Sequence, residues 1–309
     1  MALPRPSAVL VRRLAVASVV ANVGIVVTGG VVRLTGSGLG CPTWPSCTDS
    51  SYTPTAAYAQ HGLIEFGNRL LTFVLGLVAL ATLVAVVRHG RRALVPLALA
   101  AFLGIPAQGV VGGITVLTGL NPWTVAAHFL ISTGIIAISA VLAWRAYHPG
   151  DGPARPVLDR SLVTLARGIV GVTAAVLALG TVVTGSGPHA GGADVPRTGL
   201  DPESVSQLHA DAVLLLLGLT IGALLWLRGS AAPAAARAAR LLLAAELGQG
   251  LVGFVQYGTG LPVLLVGLHL LGACLVWIAA LRLLLATSAR PVEVVVPDPV
   301  TAQPAPVTG

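Results

Sequence analysis

Charge is scarce in this chain. Only 9% of its 309 residues are charged, whereas 55% are hydrophobic and the mean hydropathy is +0.88. Soluble domains carry about 25% charged residues, so that class is excluded and a polytopic membrane protein remains. Lysine does not occur, and all 18 basic residues are arginines. Methionine occurs only at position 1, which removes the thioether as an interior metal ligand. Cysteine occurs three times, at positions 41, 47 and 274.

What is present is a set of apolar runs, each near the 20 or so residues that cross a hydrocarbon core. They lie at roughly 11–32, 63–87, 94–116, 123–145, 160–184, 206–228, 235–257 and 262–286. Arg12 and Arg13 stand at the start of the first, as in a signal peptide. It continues into VVTGGVVRLTGSG without a small-residue cleavage site, so an uncleaved helix is expected. Fifteen arginines fall in the N-terminal segment, in the loops after spans two, four and six, or from span eight onward. The other face holds Arg33, Arg69 and Arg197. By the positive-inside rule both termini are cytoplasmic in a multi-pass cell-membrane protein. The pI near 10.3 reflects this topology and an affinity for anionic membrane lipid. No nucleic-acid partner is expected, because the arginines are spread over five segments.

The chain repeats itself. QGVVGGITVLTGLNPWTVAAH, from Gln108 to His128, resembles QGLVGFVQYGTGLPVLLVGLH, from Gln249 to His269, at an offset of 141 residues. VVTG at 26–29 recurs at 182–185, an offset of 156, so the first half carries 15 extra residues in its first outer loop. Four spans per half is an even number, which predicts two parallel four-helix units related by an axis along the membrane normal.

The repeat sorts the histidines. His89 and His148 lie among the cytoplasmic arginines and His189 in an outer glycine-rich loop, where solvation accounts for them. His128, His209 and His269 lie near the outer ends of spans four, six and eight. A single such histidine reads equally as an interhelical hydrogen-bonding residue, but three point to a site. His209 and His269 are at similar depth and suit two axial positions of one haem iron. The 141-residue offset maps His269 onto His128 and His209 onto Asn68, so the first half lacks the fourth histidine.

The added loop contains GLGCPTWPSC. Cys41 and Cys47, six apart with prolines between them, can close a disulfide in an oxidising compartment. Separate thiols are the alternative, and a metal site would lack its remaining ligands. Cys274, deep in span eight, reads as a small apolar residue.

Taken together, VVTGGVVRLTGSGLGCPTWPSC, IEFGNRLL, the Gln108–His128 stretch, QLHAD and GLHLLGA resemble the haem A synthase family over roughly residues 10–285. The resemblance implies an all-α fold of eight transmembrane helices in two four-helix halves. Residues 1–150 would hold the substrate haem O beneath the outer cysteine loop, and residues 151–288 a haem b cofactor ligated by His209 and His269. Residues 289–309, rich in proline, would form a disordered cytoplasmic tail. The implied reaction oxidises the C8 methyl of haem O to a formyl group by successive hydroxylations, with water as oxygen source. The product, haem A, serves cytochrome oxidase. Haem O synthase and oxidase assembly factors are the implied partners.

The resemblance also carries residues across one by one. Glu65 matches the family's catalytic glutamate and His128 one of its two substrate-half histidines. Where the family reads Glu-x-x-His-Arg, this chain reads Glu65-Phe66-Gly67-Asn68-Arg69. Asparagine is a poor ligand for haem iron. His61, seven residues earlier and nearly on the same helix face, is the candidate substitute; it reads equally as an interfacial residue about 10 Å nearer the outer surface. Arg69 and Arg33 are candidates for haem propionates, with interfacial snorkelling as the alternative.

Other classes fit less well. A bis-histidine b-type cytochrome carrying electrons between quinol and a redox partner explains the histidines but leaves Glu65 and the cysteine loop without a role. A transporter would show polar, interrupted midspan helices. Haem O synthase would carry acidic diphosphate sites, and no Asp-x-x-x-Asp motif appears.

Overall fold

Six of the eight long helices begin with a short polar cap, a proline in the first turn, or both. In the computed structural model, which describes residues 5–148, 150–230 and 232–291, Ser7 accepts a hydrogen bond from the Leu10 amide at 3.2 Å and starts α1 (Ala8–Leu34). Asn121 does the same for α4 (Pro122–Tyr147), Asp159 for α5 (Arg160–Ser186) and Asp201 for α6 (Pro202–Leu227). Proline occupies the first turn of α3 (Val95–Leu117), α4, α6 and α7 (Pro233–Gly258), where its missing N–H costs nothing. Helices α2 (Ala59–His89) and α8 (Val263–Ala286) complete the set.

All eight helices are long and apolar enough to cross a membrane. Large side chains such as Phe73, Leu77, Phe254 and Leu264 are exposed on their outer surfaces, as a lipid-facing belt requires. Helix α2 starts earlier than the apolar run beginning at residue 63, because a helix can continue past the hydrocarbon into the polar boundary. His61 is therefore helical.

Helix α1 packs on α2 and α4, and α3 on the same two; α5 packs on α6 and α8, and α7 on the same two. Helices α1, α4, α5 and α8 meet at the seam. Its core is Val26, Ile136, Leu177, Cys274, Trp277 and Leu281, and the Trp277 indole donates to the Thr133 carbonyl at 2.9 Å. The free thiol of Cys274 is buried here.

The turns after α3 and α7 share one form. Gly119 and Leu120 have φ of 61° and 58°, and Gly260 and Leu261 have 78° and 61°. In each turn the leucine amide bonds the carbonyl five residues back, Thr115 at 2.8 Å and Gln256 at 2.7 Å. These positions are 141 residues apart.

At the opposite end, arginines cap helix carbonyls. Arg12 donates to the Ala146 carbonyl and Arg91 to that of Arg145, both near the C-terminus of α4, where the helix dipole favours cations. A two-residue antiparallel pair, β1 (Arg155–Pro156) with β2 (Ser288–Ala289), closes this end. Arg290 then donates to the Gly152 carbonyl at 2.7 Å, so the first residues of the stretch expected to be disordered are held in place. Residues 292–309 of that stretch lie outside the described residues.

The seam yields a stability prediction. Trp277→Ala removes a large buried ring and is expected to lower stability by about 3–5 kcal/mol. Trp277→Phe keeps most of the ring and loses one hydrogen bond, at about 1 kcal/mol. Thermal unfolding in detergent checks the ordering; equal losses would show that packing across the seam matters little.

Candidate functional site

Three histidines sit in glycine notches. A β-carbon at Gly112 of α3 would lie 3.2 Å from Cε1 of His128, one at Gly180 of α5 would lie 3.3 Å from Cε1 of His209, and one at Gly253 of α7 would lie 3.3 Å from Cε1 of His269. Each imidazole therefore rests against the bare backbone of a neighbouring helix, and a larger residue there would move the ring. Two of the histidine helices are also pinned by a glutamine. Gln108 Nε2 donates to the His128 carbonyl at 2.8 Å, and Gln249 Nε2 to the His269 carbonyl at 2.7 Å. Gln108 also donates to the Ser132 hydroxyl.

The three rings differ in their hydrogen-bond partners. His209 Nδ1 faces the Val176 carbonyl at 3.1 Å and must donate to it, which leaves the lone pair on Nε2. Nδ1 of His128 and of His269 is buried without a hydrogen-bond partner among the described residues. No cluster of three His, Cys, Asp or Glu side chains suited to a bare metal ion forms among them. Two imidazoles suit an iron whose remaining positions are filled by a macrocycle, and haem fits that donor set.

Asn68 occupies the fourth position differently. Its Oδ1 accepts from the Thr28 hydroxyl at 2.7 Å, and its Nδ2 would lie 3.8 Å from a β-carbon at Gly29. Gly24 is the counterpart of Gly180 at the 156-residue offset, yet a β-carbon there meets nothing within 4 Å. Asn68 thus lies against Thr28 and Gly29 and does not occupy the place at Gly24 that corresponds to Gly180.

The disulfide loop is built onto α2 and α3. Cys41 and Cys47 are bonded, with an S–S distance of 1.99 Å. A β-carbon at Gly40 would collide with the His61 carbonyl, and one at Gly113 with the Trp44 ring, so both contacts need glycine. The adjacent Gly112 and Gly113 thus receive His128 and Trp44, which puts the loop beside the histidine site. Glu65 is 6% exposed: Oε2 accepts the Cys41 amide at 2.7 Å, and Oε1 is paired with Arg69 at 2.6 Å. Arg69 also donates to the carbonyls of Cys41, Thr43 and Ser46. Its guanidinium is directed at Glu65 and the loop, which accounts for the residue without a propionate.

His61 stands apart from this group: it is exposed, and its Nδ1 is 2.8 Å from the Ser37 hydroxyl. It borders an outer cleft of about 590 Å³, shared with Gly40, Tyr58, Thr118 and Asp194. Arg33 donates to the Thr184 carbonyl at 2.8 Å, tying α1 to α5.

Two features escape the sequence reading. The glycine notches lie inside the repeated stretches and could be found there, since Gly112 and Gly253 share the offset of the histidines they meet. Glu246 is also buried, accepting from the Thr220 hydroxyl at 2.8 Å; as the one acid of an apolar run it could have been singled out, though its partner could not.

Comparison with known proteins agrees with this layout. Residues 12–197, more than half of the chain, match the family described as cytochrome oxidase assembly protein. The chain is 35% identical over 126 residues to a heme A synthase of Geobacillus kaustophilus (strain HTA426), covering 39% of each chain. It is 31% identical over 147 residues to one of Geobacillus thermodenitrificans, covering 46% of this chain and 45% of that one. With one of Lysinibacillus sphaericus (strain C3-41) it shares 36% over 138 residues, 41% of each. The matched region thus spans less than half the length of these relatives. On the family match, over the segment that contains Glu65, His128 and the disulfide loop, this chain belongs to the cytochrome oxidase assembly protein family.

Proposed function

We propose that this chain is a haem A synthase, converting the C8 methyl of haem O to a formyl group. One observation carries the reading: the two halves are unequal in a way that suits a substrate and a resident cofactor. The second half presents two glycine-seated imidazoles, His209 and His269. The first presents one, His128, and adds a buried carboxylate beneath a disulfide loop. A group bound by two imidazoles is retained; one bound through a single imidazole can leave as product.

In this reading residues 1–150 form the substrate half and residues 151–288 the cofactor half. The arginine-rich end and both termini face the cytoplasm. Haem b, when bound by His209 and His269, supplies a one-electron relay. Oxidation of the methyl group to an aldehyde takes up one water and releases four protons and four electrons. Glu65 would accept a proton from the attacking water, since a carboxylate beside the reacting carbon can act as general base. Each Glu65 oxygen already accepts hydrogen bonds, from the Cys41 amide or from Arg69, so the carboxylate is oriented before substrate arrives. Arg69 is a positioning residue that joins Glu65 to the loop. Trp44 packs against Gly113, the residue next to the glycine that meets His128, and so ties the loop to the helix that seats this ring.

Three outcomes test this. Replacing His209 or His269 with alanine is expected to abolish a low-spin haem spectrum; its survival in the double variant contradicts the cofactor assignment. Glu65→Gln should keep haem content and reduce haem A formation about 100-fold or more, with pigment analysis of whole cells as the readout. Full haem A formation excludes Glu65 as the base. Asn68→His should supply the missing fourth imidazole and raise the haem retained per chain while lowering haem A yield, and unchanged values for both contradict a singly ligated substrate.

A further inference from the structure

Glu246 has no part in that reaction. It lies midway along α7, 6% exposed, with the Thr220 hydroxyl on Oε1 and no hydrogen-bond partner for Oε2 among the described residues. Its placement is aligned with the second-half histidines. Glu246 is seven residues from Gly253, which meets the His269 ring, and Thr220 is eleven residues from His209. Both intervals return to nearly the same helix face. The pair therefore sits below the two imidazoles, about 10 Å along α7 and about 16 Å along α6 toward the arginine-rich end.

The first half shows that the fold does not need a polar pair there. At the 141-residue offset Glu246 corresponds to Ile105 and Thr220 to Ala79, which pack with Leu75 in one apolar cluster. Hydrocarbon fills the same place in the half that lacks two imidazoles. An ionised carboxylate within the hydrocarbon layer is costly without a compensating charge, and among the described residues no ion pair to Glu246 forms. The titratable or charged side chains on the two helices packed against α7 are Glu203, His209 and Asp211 of α6, and His269, Cys274 and Arg282 of α8. Glu203, Asp211 and Arg282 are exposed, and Cys274 belongs to the seam core. On α7 itself Arg237, Arg240 and Tyr257 are exposed. The variable charge left near Glu246 is that of an iron held by His209 and His269.

We propose that Glu246, with Thr220 as its donor, is a proton-binding site coupled to the redox state of the second-half haem. The inference rests on the cofactor reading given above. Glu246 is ionised while the iron is ferric; it takes up one proton when the haem gains one electron and releases that proton when the electron leaves. During turnover the electron comes from substrate oxidation, and in a titration it comes from dithionite. Charge in the apolar interior is thereby held constant through each electron transfer.

The test is a potentiometric titration of the purified, haem-loaded chain at a series of pH values. The wild-type midpoint potential should fall as pH rises, by up to about 59 mV per unit for one proton per electron. Glu246→Gln keeps the shape but cannot ionise, and Glu246→Ile copies the first half; both should lose most of that slope while retaining haem. On reduction, the infrared difference spectrum should gain a carboxylic acid C=O band in the wild type alone. A pH-independent wild-type potential overturns the proposal, as does Glu246→Gln with the wild-type slope. If both variants lose haem, Thr220→Val should shift the pH range of the slope, and an unshifted range overturns it. Absence of any low-spin haem in the wild type would instead refute the cofactor reading itself.

Discussion

The contact on which the site depends is that of an imidazole against a glycine backbone inside an apolar bundle. At Gly112, Gly180 and Gly253 the absence of a side chain lets a histidine ring lie flush with a neighbouring helix. Histidine in such surroundings is tolerated only where its polar atoms meet a partner. The Val176 carbonyl takes one nitrogen of His209, whereas Nδ1 of His128 and of His269 is buried without a hydrogen-bond partner among the described residues. A β-carbon at any of these glycines would crowd the facing ring at 3.2–3.3 Å, so the bare backbone helps to fix where each ring lies.

Around the first-half imidazole the chain adds a second device. The loop from Cys41 to Cys47 is shut by its disulfide, docked on α3 through Trp44 and bound to α2 through Arg69 and Glu65. Arg69 gathers three loop carbonyls and one carboxylate oxygen. Breaking that network would strand a buried charge as well as release the loop. Orientation of the carboxylate and attachment of the loop thus depend on the same bonds.

Much of this was legible in the sequence, for identifiable reasons. Long apolar runs mark membrane-crossing helices because nothing else satisfies the backbone in lipid, and the eight helices follow those runs with α2 extended to Ala59. The spacing of the repeat brought out His128, His209, His269 and the exceptional Asn68. Arg69 was harder. An arginine near a proposed haem suggests a propionate, and only the folded loop shows that its donors are directed to Cys41, Thr43, Ser46 and Glu65. Glu246 stands out in the sequence as the one acid of an apolar run, but its partner Thr220, 26 residues away on another helix, is not legible there. A pair made across two helices is set by their packing and not by a local pattern.

The division of labour between the halves is tested most directly by the pigment that the protein carries. The wild-type chain is to be purified from membranes of cells that make haem O, and its non-covalently bound haems extracted and separated. Haem B together with haem O or haem A is expected, with haem B in the low-spin fraction. Haem B alone, from cells with ample haem O, would contradict a substrate site in the first half.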